Sequence, residues 1–398
     1  MTVSSDGGVR AFGDLLVYPL RSGVTVPRDL RGNGIKMVNM GELFAFQIIP
    51  PVEMARVDID VTDESRFLLA EGDLLFARRS LTLEGAGRCS IVGEIIEPTT
   101  WESSIIRARL DRNSADPKYY FYYFMSPQGR RSMERIVEQV AAAGIRISDL
   151  ARLEVPVPPL RTQHAIAEVL GALDDKIAAN RRLADTADEC VRAWFDSYKN
   201  VTENKLISEI VTNVRRTVPT DQIDRDAVYL GLEHLPRRNL WVSELGSAAE
   251  LQSAKSEFAE GDILFGKLRP YFHKVCTAPV PGLCSTDILV LRSKSQEFAG
   301  WALAALASDE VVEKVTAASE GTRMPRTSWK DLGVVDVPWP GEHEVRRTSE
   351  RIQALRVTVL AALEESRTLG SLRDTLLPRL MSGELSVRDA EAVVSNAV

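Results

Sequence analysis

Two long stretches of the chain place apolar residues at spacings that alternate between four and three, the pattern of a coiled-coil seam. The pattern predicts one long helix from about Arg161 to Lys199 and a second from about Glu344 to Met381. The first seam consists of Ile166, Leu170, Leu173, Ile177, Ala184, Ala187, Val191, Trp194 and Tyr198, and the second of Ile352, Leu355, Val359, Ala362, Ser366, Leu369, Leu376 and Leu380. Polar Asn180 interrupts the first seam, and we expect it to fix the register of helix pairing.

The segments that precede the two helices repeat one another. The sequence LLAEGDLLFARRS at 68–80 resembles EFAEGDILFGKLR at 257–269, with Gly72 and Gly261 separated by 189 positions. Two further pairs follow in the same order, ESSII with CSTDI and ISDLARLEVPVP with SWKDLGVVDVPWP, each at an offset of 182. Three matching pairs in one order indicate that the chain contains two copies of one unit.

Each copy combines short strands with helical stretches. The Gly-Asp turn leads into a short buried strand, 287–291 predicts another strand, and 117–143 and 298–318 predict helices. A proline-rich elbow ends each copy, because proline cannot continue a helix or a central strand. We therefore predict an α+β fold: two repeated mixed α/β domains separated by two long antiparallel coiled-coil helices that bury each other's apolar stripes, with internal pseudo-two-fold symmetry. The predicted segments are 1–158, 159–200, 201–341 and 342–398.

The composition favours a globular protein of the reducing cytoplasm. The 398 residues are 44% hydrophobic and 26% charged, and they carry a net charge of -7. The four cysteines form no C-x-x-C pair and the four histidines are scattered, so we predict neither disulfides nor a metal site. No apolar run approaches the roughly 20 residues that span a bilayer, and the N-terminus does not resemble a signal peptide.

The sequence offers no enzyme motif. It contains no G-x-x-x-x-G-K-[ST] phosphate loop, no G-x-S-x-G elbow and no Asn/Asp-Pro-Pro-aromatic motif of an amino-methyltransferase. The tripeptide Glu203-Asn204-Lys205 resembles part of a nuclease site, but such tripeptides occur by chance, and we interpret it as a solvated loop. We therefore predict no catalytic residues and no cofactor.

Basic clusters with hydroxyl and aromatic residues recur at matching places in the two copies. Arginine forks suit guanine edges, while lysine and hydroxyl groups suit phosphates, so these loops are candidate DNA contacts. One basic loop alone is usually just solvated, but recurrence in both copies favours function. The predicted DNA-binding residues are Arg78, Arg79, Ser80 and Arg146 in the first copy and Lys267, Arg269, Tyr271, Lys274, Arg323, Arg326 and Thr327 in the second. Arg237 and Arg238 are weaker candidates.

Two segments resemble a known family. PLRTQHAIAEVLGALDDKIAANRRL at 159–183 is similar to the central spacer of the specificity (S) subunits of Type I restriction-modification enzymes, and LRDTLLPRLMSGELSV at 372–387 is similar to their end segment. The family positions are filled here by Gln163, Ile166, Ala167, Leu170, Leu173, Asp174, Lys176, Ile177 and Asn180. The chain departs from the pattern after the second elbow, where GEHEVRRTSERI replaces the usual glutamine-containing start.

The resemblance implies a division of labour. In this family each globular unit is a target-recognition domain that reads one half of a bipartite double-stranded DNA target, and the long helices fix the unread gap between the halves. Two modification subunits methylate adenine, restriction subunits carry nuclease and translocase activity, and the specificity subunit itself is not an enzyme.

Two other classes of function compete with this interpretation. A coiled-coil adaptor whose end domains bind proteins would be indifferent to DNA sequence. A free-standing nuclease or methyltransferase would bind a metal or S-adenosylmethionine by itself, and the sequence offers a site for neither. A binding assay distinguishes these classes.

Overall fold

The computed structural model describes residues 8–27, 31–59, 64–139, 143–319 and 324–397. Its internal contacts divide the chain into two units, the first formed by Met1–Asp175 with Leu369–Val398 and the second by Lys176–Thr368. This partition cuts through both long helices, whereas the four predicted segments give each helix a segment of its own. The segment boundaries therefore stay a prediction.

The first unit combines short helices with several small sheets. Its helices before the long one are α1 (Met40–Ala45), α2 (Glu64–Phe67), α3 (Pro117–Met125), α4 (Pro127–Glu134) and α5 (Ile147–Arg152). Its strands are β1 (Val9–Ala11), β2 (Arg21–Ser22), β3 (Arg31–Val38), β4 (Ile48–Ile49), β5 (Ala55–Val57), β6 (Leu74–Ala77), β7 (Arg79–Ser80), β8 (Cys89–Val92), β9 (Thr99–Trp101), β10 (Ile105–Ala108), β11 (Val137–Gln139), β12 (Ala143–Ile145) and β13 (Glu154–Pro156). The sheets have the orders β2-β10-β6-β8-β4, β5-β3-β9, β11-β12-β7 and β1-β13.

The second unit follows the long helix α6 (Leu160–Asp196). Its shorter helices are α7 (Ile207–Ile210), α8 (Ala299–Leu306), α9 (Asp309–Ala317) and α10 (Trp329–Gly333), and the long helix α11 (Glu342–Met381) and α12 (Val387–Ala397) come after them. Its strands are β14 (Asn204–Leu206), β15 (Val211–Val214), β16 (Thr217–Val218), β17 (Val228–Leu230), β18 (Gly246–Ser247), β19 (Lys255–Phe258), β20 (Ile263–Gly266), β21 (Val275–Thr277), β22 (Gly282–Cys284), β23 (Ile288–Ser293) and β24 (Asp336–Pro338). Their sheets have the orders β15-β23-β20-β21, β16-β19-β22-β17-β18 and β14-β24.

The repeat seen in the sequence is present in the topology. In the first unit β6 lies between β10 and β8, and in the second β20 lies between β23 and β21, with antiparallel pairing throughout. The strand that leads into the proline-rich elbow pairs antiparallel with the first strand of its own copy, as β13 with β1 and β24 with β14. The predicted α+β class with two repeated mixed α/β copies is confirmed.

The shared A-E-G-D motif is a polar anchor for this central sheet. Buried Asp73 binds the Arg109 guanidinium through both carboxylate oxygens, each at 2.7 Å, and buried Asp262 binds Arg292 in the same way at 2.7 Å. Each aspartate also accepts the backbone N–H three residues earlier at 2.8 Å, which closes the turn. The glycine before it has a φ of 87° in the first copy and 81° in the second, a region that side chains avoid. The motif therefore ties a turn to a neighbouring strand in each copy.

The two long helices pack antiparallel in each unit. In the second unit the Asn180 side-chain amide donates to the Ala362 carbonyl at 3.0 Å and to Glu365 at 2.7 Å, and Tyr198 donates to Glu344 at 3.0 Å. In the first unit Arg373 binds Asp174 at 2.6 Å. Most predicted seam residues are buried, while Trp194, Tyr198, Leu355 and Ser366 are partly exposed. The predicted antiparallel pairing is confirmed, and Asn180 holds a specific polar contact within it.

Both shorter helical predictions need correction. The predicted helix at 117–143 is interrupted at Ser126, which adopts an extended conformation and whose hydroxyl caps the separate helix α4 at the Gly129 N–H. The prediction is wrong beyond Glu134, where α4 ends. After α4 the chain pairs as β11 with β12, since the apolar residues there complete a sheet. The second stretch is likewise two helices, and Ser308 caps the second of them.

A tight contact between α8 and α11 gives a first prediction. A Cβ atom added at Gly300 would lie 2.6 Å from the Ser349 carbonyl oxygen and 2.9 Å from the Ile352 Cβ. We expect Gly300→Ala to lower the free energy of unfolding by about 2 kcal/mol, because the helices would have to separate. Chemical denaturation measures the loss. The matched control is Gly370→Ala, where an added Cβ meets nothing within 4 Å. That variant should be as stable as the wild type or more so, and equal behaviour of the two would contradict the packing argument.

Candidate nucleic-acid interface

The two basic loops predicted in the second copy are hydrogen-bonded neighbours. The Thr327 N–H donates to the Lys267 carbonyl at 3.1 Å, and the Arg269 N–H donates to the Pro325 carbonyl at 2.8 Å. Between these bonds Leu268 and Arg326 form an antiparallel bridge. Residues that lie almost 60 positions apart in the sequence therefore form one surface, which we call the second basic surface (267–271 with 324–327).

The first copy contains the same arrangement. The Ile145 N–H donates to the Arg78 carbonyl at 3.0 Å, and these positions correspond to Thr327 and Lys267 at the repeat offsets of 182 and 189. Strand β7 continues the contact by pairing antiparallel with β12. We call this the first basic surface (78–81 with 143–146). Each of the two basic surfaces therefore contains the equivalent backbone hydrogen bond.

The side chains of the first basic surface are accessible to a ligand. Arg79 is exposed, and Arg146 is 67% exposed while it pairs with Glu138 at 2.7 Å. Arg78 is partly buried and donates to the Ser22 hydroxyl at 3.3 Å, and the Ser80 hydroxyl accepts the Thr82 N–H at 3.1 Å. An exposed ion pair contributes at most about 1 kcal/mol, so Arg146 can exchange Glu138 for an anionic ligand at little cost.

The second basic surface combines cations with aromatic rings. Arg326 pairs loosely with Asp287 at 3.3 Å, and Tyr271 is 51% exposed. Lys267 is partly exposed, and no hydrogen bond or ion pair joins its ammonium to another described residue. The Arg269 guanidinium lies 5.8 Å from the centre of the Phe272 ring, within the range of a cation–π contact. This mixture suits both phosphates and bases.

Three of the predicted DNA-binding residues do not have a side chain that the structure shows to be available to a ligand. The Lys274 ammonium donates to the Leu232 carbonyl, and burial lowers its pKa, so this lysine is occupied within the fold. Thr327 is 3% exposed, and its hydroxyl faces away from solvent. Arg323 lies outside the described residues. A DNA-binding role for these three residues stays a prediction.

The structure places further basic side chains near the two surfaces, which the sequence analysis ranked as weaker candidates or did not name. Arg237, a weaker candidate, is exposed and its guanidinium lies 4.0 Å from the centre of the Phe272 ring, next to Arg269. Its neighbour Arg238 pairs with Asp309 at 2.9 Å instead. In the first unit Arg130 donates to the Glu84 carbonyl at 2.7 Å, beside the first basic surface. No spacing rule links these residues to the predicted loops, because only the fold brings them together.

Other kinds of site are not seen in the part of the chain that the structure describes. Within it, no group of three or more histidine, cysteine, aspartate or glutamate side chains is placed to hold a metal ion. Among the same residues, no helix combines the length and apolar character needed to cross a bilayer. Burial raises the pKa of the thiol in Cys284 to about 12, and Cys89 and Cys276 are buried as well. Such thiols are inert at neutral pH.

Comparison with known proteins gives the class of these units. Residues 31–187 match the family model described as the Type I restriction modification DNA specificity domain. A 142-residue stretch is 30% identical to the Type I restriction enzyme EcoDI specificity subunit of Escherichia coli, covering 34% of this chain and 31% of that protein. Over 97% of this chain and 95% of the relative, the chain is 20% identical to the putative Type I restriction enzyme MjaX specificity subunit of Methanocaldococcus jannaschii. The aligned part thus spans about a third of the first relative and nearly all of the second.

A solved structure shows the same fold. The Type I restriction-modification system S subunit from M. genitalium has a TM-score of 0.55 and 18% identity, covering 95% of this chain and 96% of that one. The class defined by the family match is therefore that of a DNA specificity domain. Residues 31–187 thus match the DNA specificity domain of Type I restriction-modification systems, and nearly the whole chain is similar to one of their specificity subunits, as the spacer motif indicated. The comparisons give no support to the alternative of a coiled-coil adaptor.

Proposed function

We propose that this chain reads a bipartite target on double-stranded DNA, with one basic surface for each half of the target. The observation that carries the proposal is the repeated frame, in which Arg78 bonds to Ile145 and Lys267 bonds to Thr327 through equivalent backbone groups. Two copies of one interface suit two separate blocks of sequence. The arginines provide forks for guanine edges, and the lysine provides a point charge for phosphate.

The proposed complex contains further subunits. We infer that two modification subunits, which methylate adenine, and restriction subunits with nuclease and translocase activity assemble on this chain, and that the complex works on DNA in the cytoplasm. The proposal is supported by the match of residues 31–187 to the DNA specificity domain and by the similarity of nearly the whole chain to a specificity subunit. The paired helices α6 and α11 would then fix the length of the unread gap.

A methylome tests this function directly. The full chain is expressed with its neighbouring modification subunit in a host that lacks adenine methylation, and modified adenines are mapped by single-molecule sequencing. The expected result is a split motif, two short specified blocks around a gap of constant length. A stable complex that modifies no split motif would contradict the proposal and favour a protein-binding adaptor.

The length of the helices gives a second prediction. Removing four residues between Lys176 and Leu183 shortens α6 by about 6 Å, close to one helical turn. We expect the methylated motif to have a shorter gap or to disappear, because the half-sites would no longer match the protein. Four alanine substitutions at exposed positions of the same segment keep the length and serve as the control. An unchanged gap in the deletion variant would rule out the helices as the determinant of spacing.

A further inference from the structure

Each basic surface carries an exposed apolar or aromatic side chain next to its cations. Leu81 directly follows Arg79 and Ser80 and is 99% exposed, the highest value among the large apolar side chains of the described residues. In the second unit Tyr271 follows Lys267 and Arg269 and is 51% exposed. At the repeat offset of 189 the two positions differ by a single residue. Isolated exposed apolar residues are common, so their setting decides whether they matter.

The loop that carries Leu81 is held in place from both sides. The Thr82 N–H donates to the Ser80 hydroxyl at 3.1 Å, and the Thr82 hydroxyl accepts the Gly85 N–H at 3.2 Å. At the end of the loop the Gly87 N–H donates to the carbonyl of Ala77, the last residue of β6, at 2.8 Å. Leu81 is therefore an exposed leucine on a loop that local hydrogen bonds hold in place.

Tyr271 is held in a different way with the same result. It lies in a single turn of 3-10 helix at Pro270–Phe272, bounded by Arg269 and His273, both in the left-handed region at φ near 50°. Its ring packs edge-on against Phe272 at 4.8 Å. The turn is anchored by His273, which is 2% exposed and bonds through its imidazole Nε2 to the Ala307 carbonyl at 2.8 Å. A strained turn fixed by a buried side chain presents Tyr271 to solvent.

We infer that Leu81 and Tyr271 insert between stacked base pairs, one in each half of the target. The inference rests on the proposed function and adds a role for these two side chains. Proteins that insert apolar wedges between base steps combine these wedges with basic side chains that contact the same stretch of DNA. The same combination is present here: Arg78 and Arg79 precede Leu81, and Arg146 follows β12, the strand that pairs with β7. Lys267 and Arg269 precede Tyr271, and Arg326 forms a bridge with Leu268.

Insertion would serve the chemistry of the partner subunits. A methyltransferase must take its adenine out of the helix, and unstacking a neighbouring step lowers the energy that this extrusion requires. The subunit that selects the site would therefore also carry the side chains that unstack the neighbouring step. Leu81 can act only through dispersion and water exclusion. Tyr271 can also stack on a base face.

Fluorescence of 2-aminopurine tests the insertion. The probe replaces single bases within each block of the mapped motif, at positions other than the methylated adenine, and the duplexes are titrated with the complex of full chain and modification subunits. For the wild type we expect a rise in fluorescence at one step in each block. Leu81→Ala should remove the rise in one block only, and Tyr271→Ala in the other, with methylation in the affected block slowed about tenfold or more.

Matched variants separate insertion from general damage. Ile96→Ala and Val334→Ala remove side chains that are 73% and 67% exposed, one in each unit, away from the basic surfaces, and should behave as the wild type. Leu81→Met and Tyr271→Phe keep an apolar wedge and should keep the fluorescence rise. Melting temperatures should stay within the experimental error for Leu81→Ala, because this side chain has no packing to lose.

The outcomes are distinguishable. If the wild-type complex methylates a split motif but Leu81→Ala and Tyr271→Ala match Ile96→Ala and Val334→Ala in fluorescence and rate, the insertion is wrong and the proposed function stands. If the wild-type complex recognises no split motif, the proposed function fails and the insertion fails with it.

Discussion

Replacement of Arg78 and Arg79 together by alanine is expected to erase one block of the split methylation motif and to leave the other block unchanged. Arg79 is exposed on β7, and Arg78 makes only a 3.3 Å bond to Ser22, so both guanidinium groups can turn toward DNA. Each arginine that contacts a guanine with two hydrogen bonds contributes about 1–3 kcal/mol of discrimination. Loss of both should reduce affinity for that half-site by a factor on the order of a hundred or more.

The methylome and a titration with duplex DNA measure this effect. The double variant Lys118→Ala with Arg152→Ala is the control, because it removes two exposed charges from helices of the same unit. It should leave both blocks intact, apart from a small uniform loss that salt reproduces. If the Arg78 and Arg79 variant retains both affinity and specificity, the first basic surface does not read DNA.

Asp73→Ala is expected to destabilise the first unit by about 3–5 kcal/mol, the range for breaking a buried ion pair from one side. The substitution removes both bonds to Arg109 and the bond from the Ala70 N–H, and it leaves the largely buried Arg109 guanidinium without its carboxylate. The side-chain bond to Asp73 raises the pKa of Arg109, and this contribution is lost with the carboxylate. The guanidinium nevertheless stays charged, because arginine ordinarily remains protonated at neutral pH.

The second unit provides the comparison for this variant. Arg292 is 45% exposed in its side chain against 20% for Arg109, so water can solvate it after Asp262→Ala. The loss there should be smaller, and hydrogen exchange of the β6 and β20 amides measures each unit separately. An equal loss in both units would show that the turn closed by the aspartate matters more than the burial of the arginine.

Much of the fold was predictable because its signals are local or repeated. The seam of α6 and α11 follows from spacing, and the equivalence of Asp73 with Asp262 follows from the repeat. The pairing of these aspartates with Arg109 and Arg292 was not predictable, since some 30 residues separate the partners. The two arginines lie 36 and 30 residues after their aspartates, so a common spacing does not identify them either.

The candidate site was predictable in part for a related reason. Arg78 and Lys267 were predicted because basic residues recur at matching places in the two copies. In the structure each is hydrogen-bonded to the second predicted loop of its own copy. Lys274 could not be told from an exposed lysine, because its carbonyl partner Leu232 comes from a distant loop. The hairpin β11-β12 was taken for helix, since an alanine-rich sequence has high helix propensity and the tertiary pairing overrides it.

The shared backbone frame separates what the interface needs for folding from what it needs for recognition. The hydrogen bonds at Arg78 and Lys267 use backbone atoms only, so they form whatever side chains these positions carry. The position without such freedom is Gly144, where an added Cβ would lie 2.9 Å from the Arg78 carbonyl oxygen. Mutation can therefore vary exposed Arg79 or Arg146 at little cost to stability, so that a lineage can change the recognition side chains while the fold of the domain stays the same.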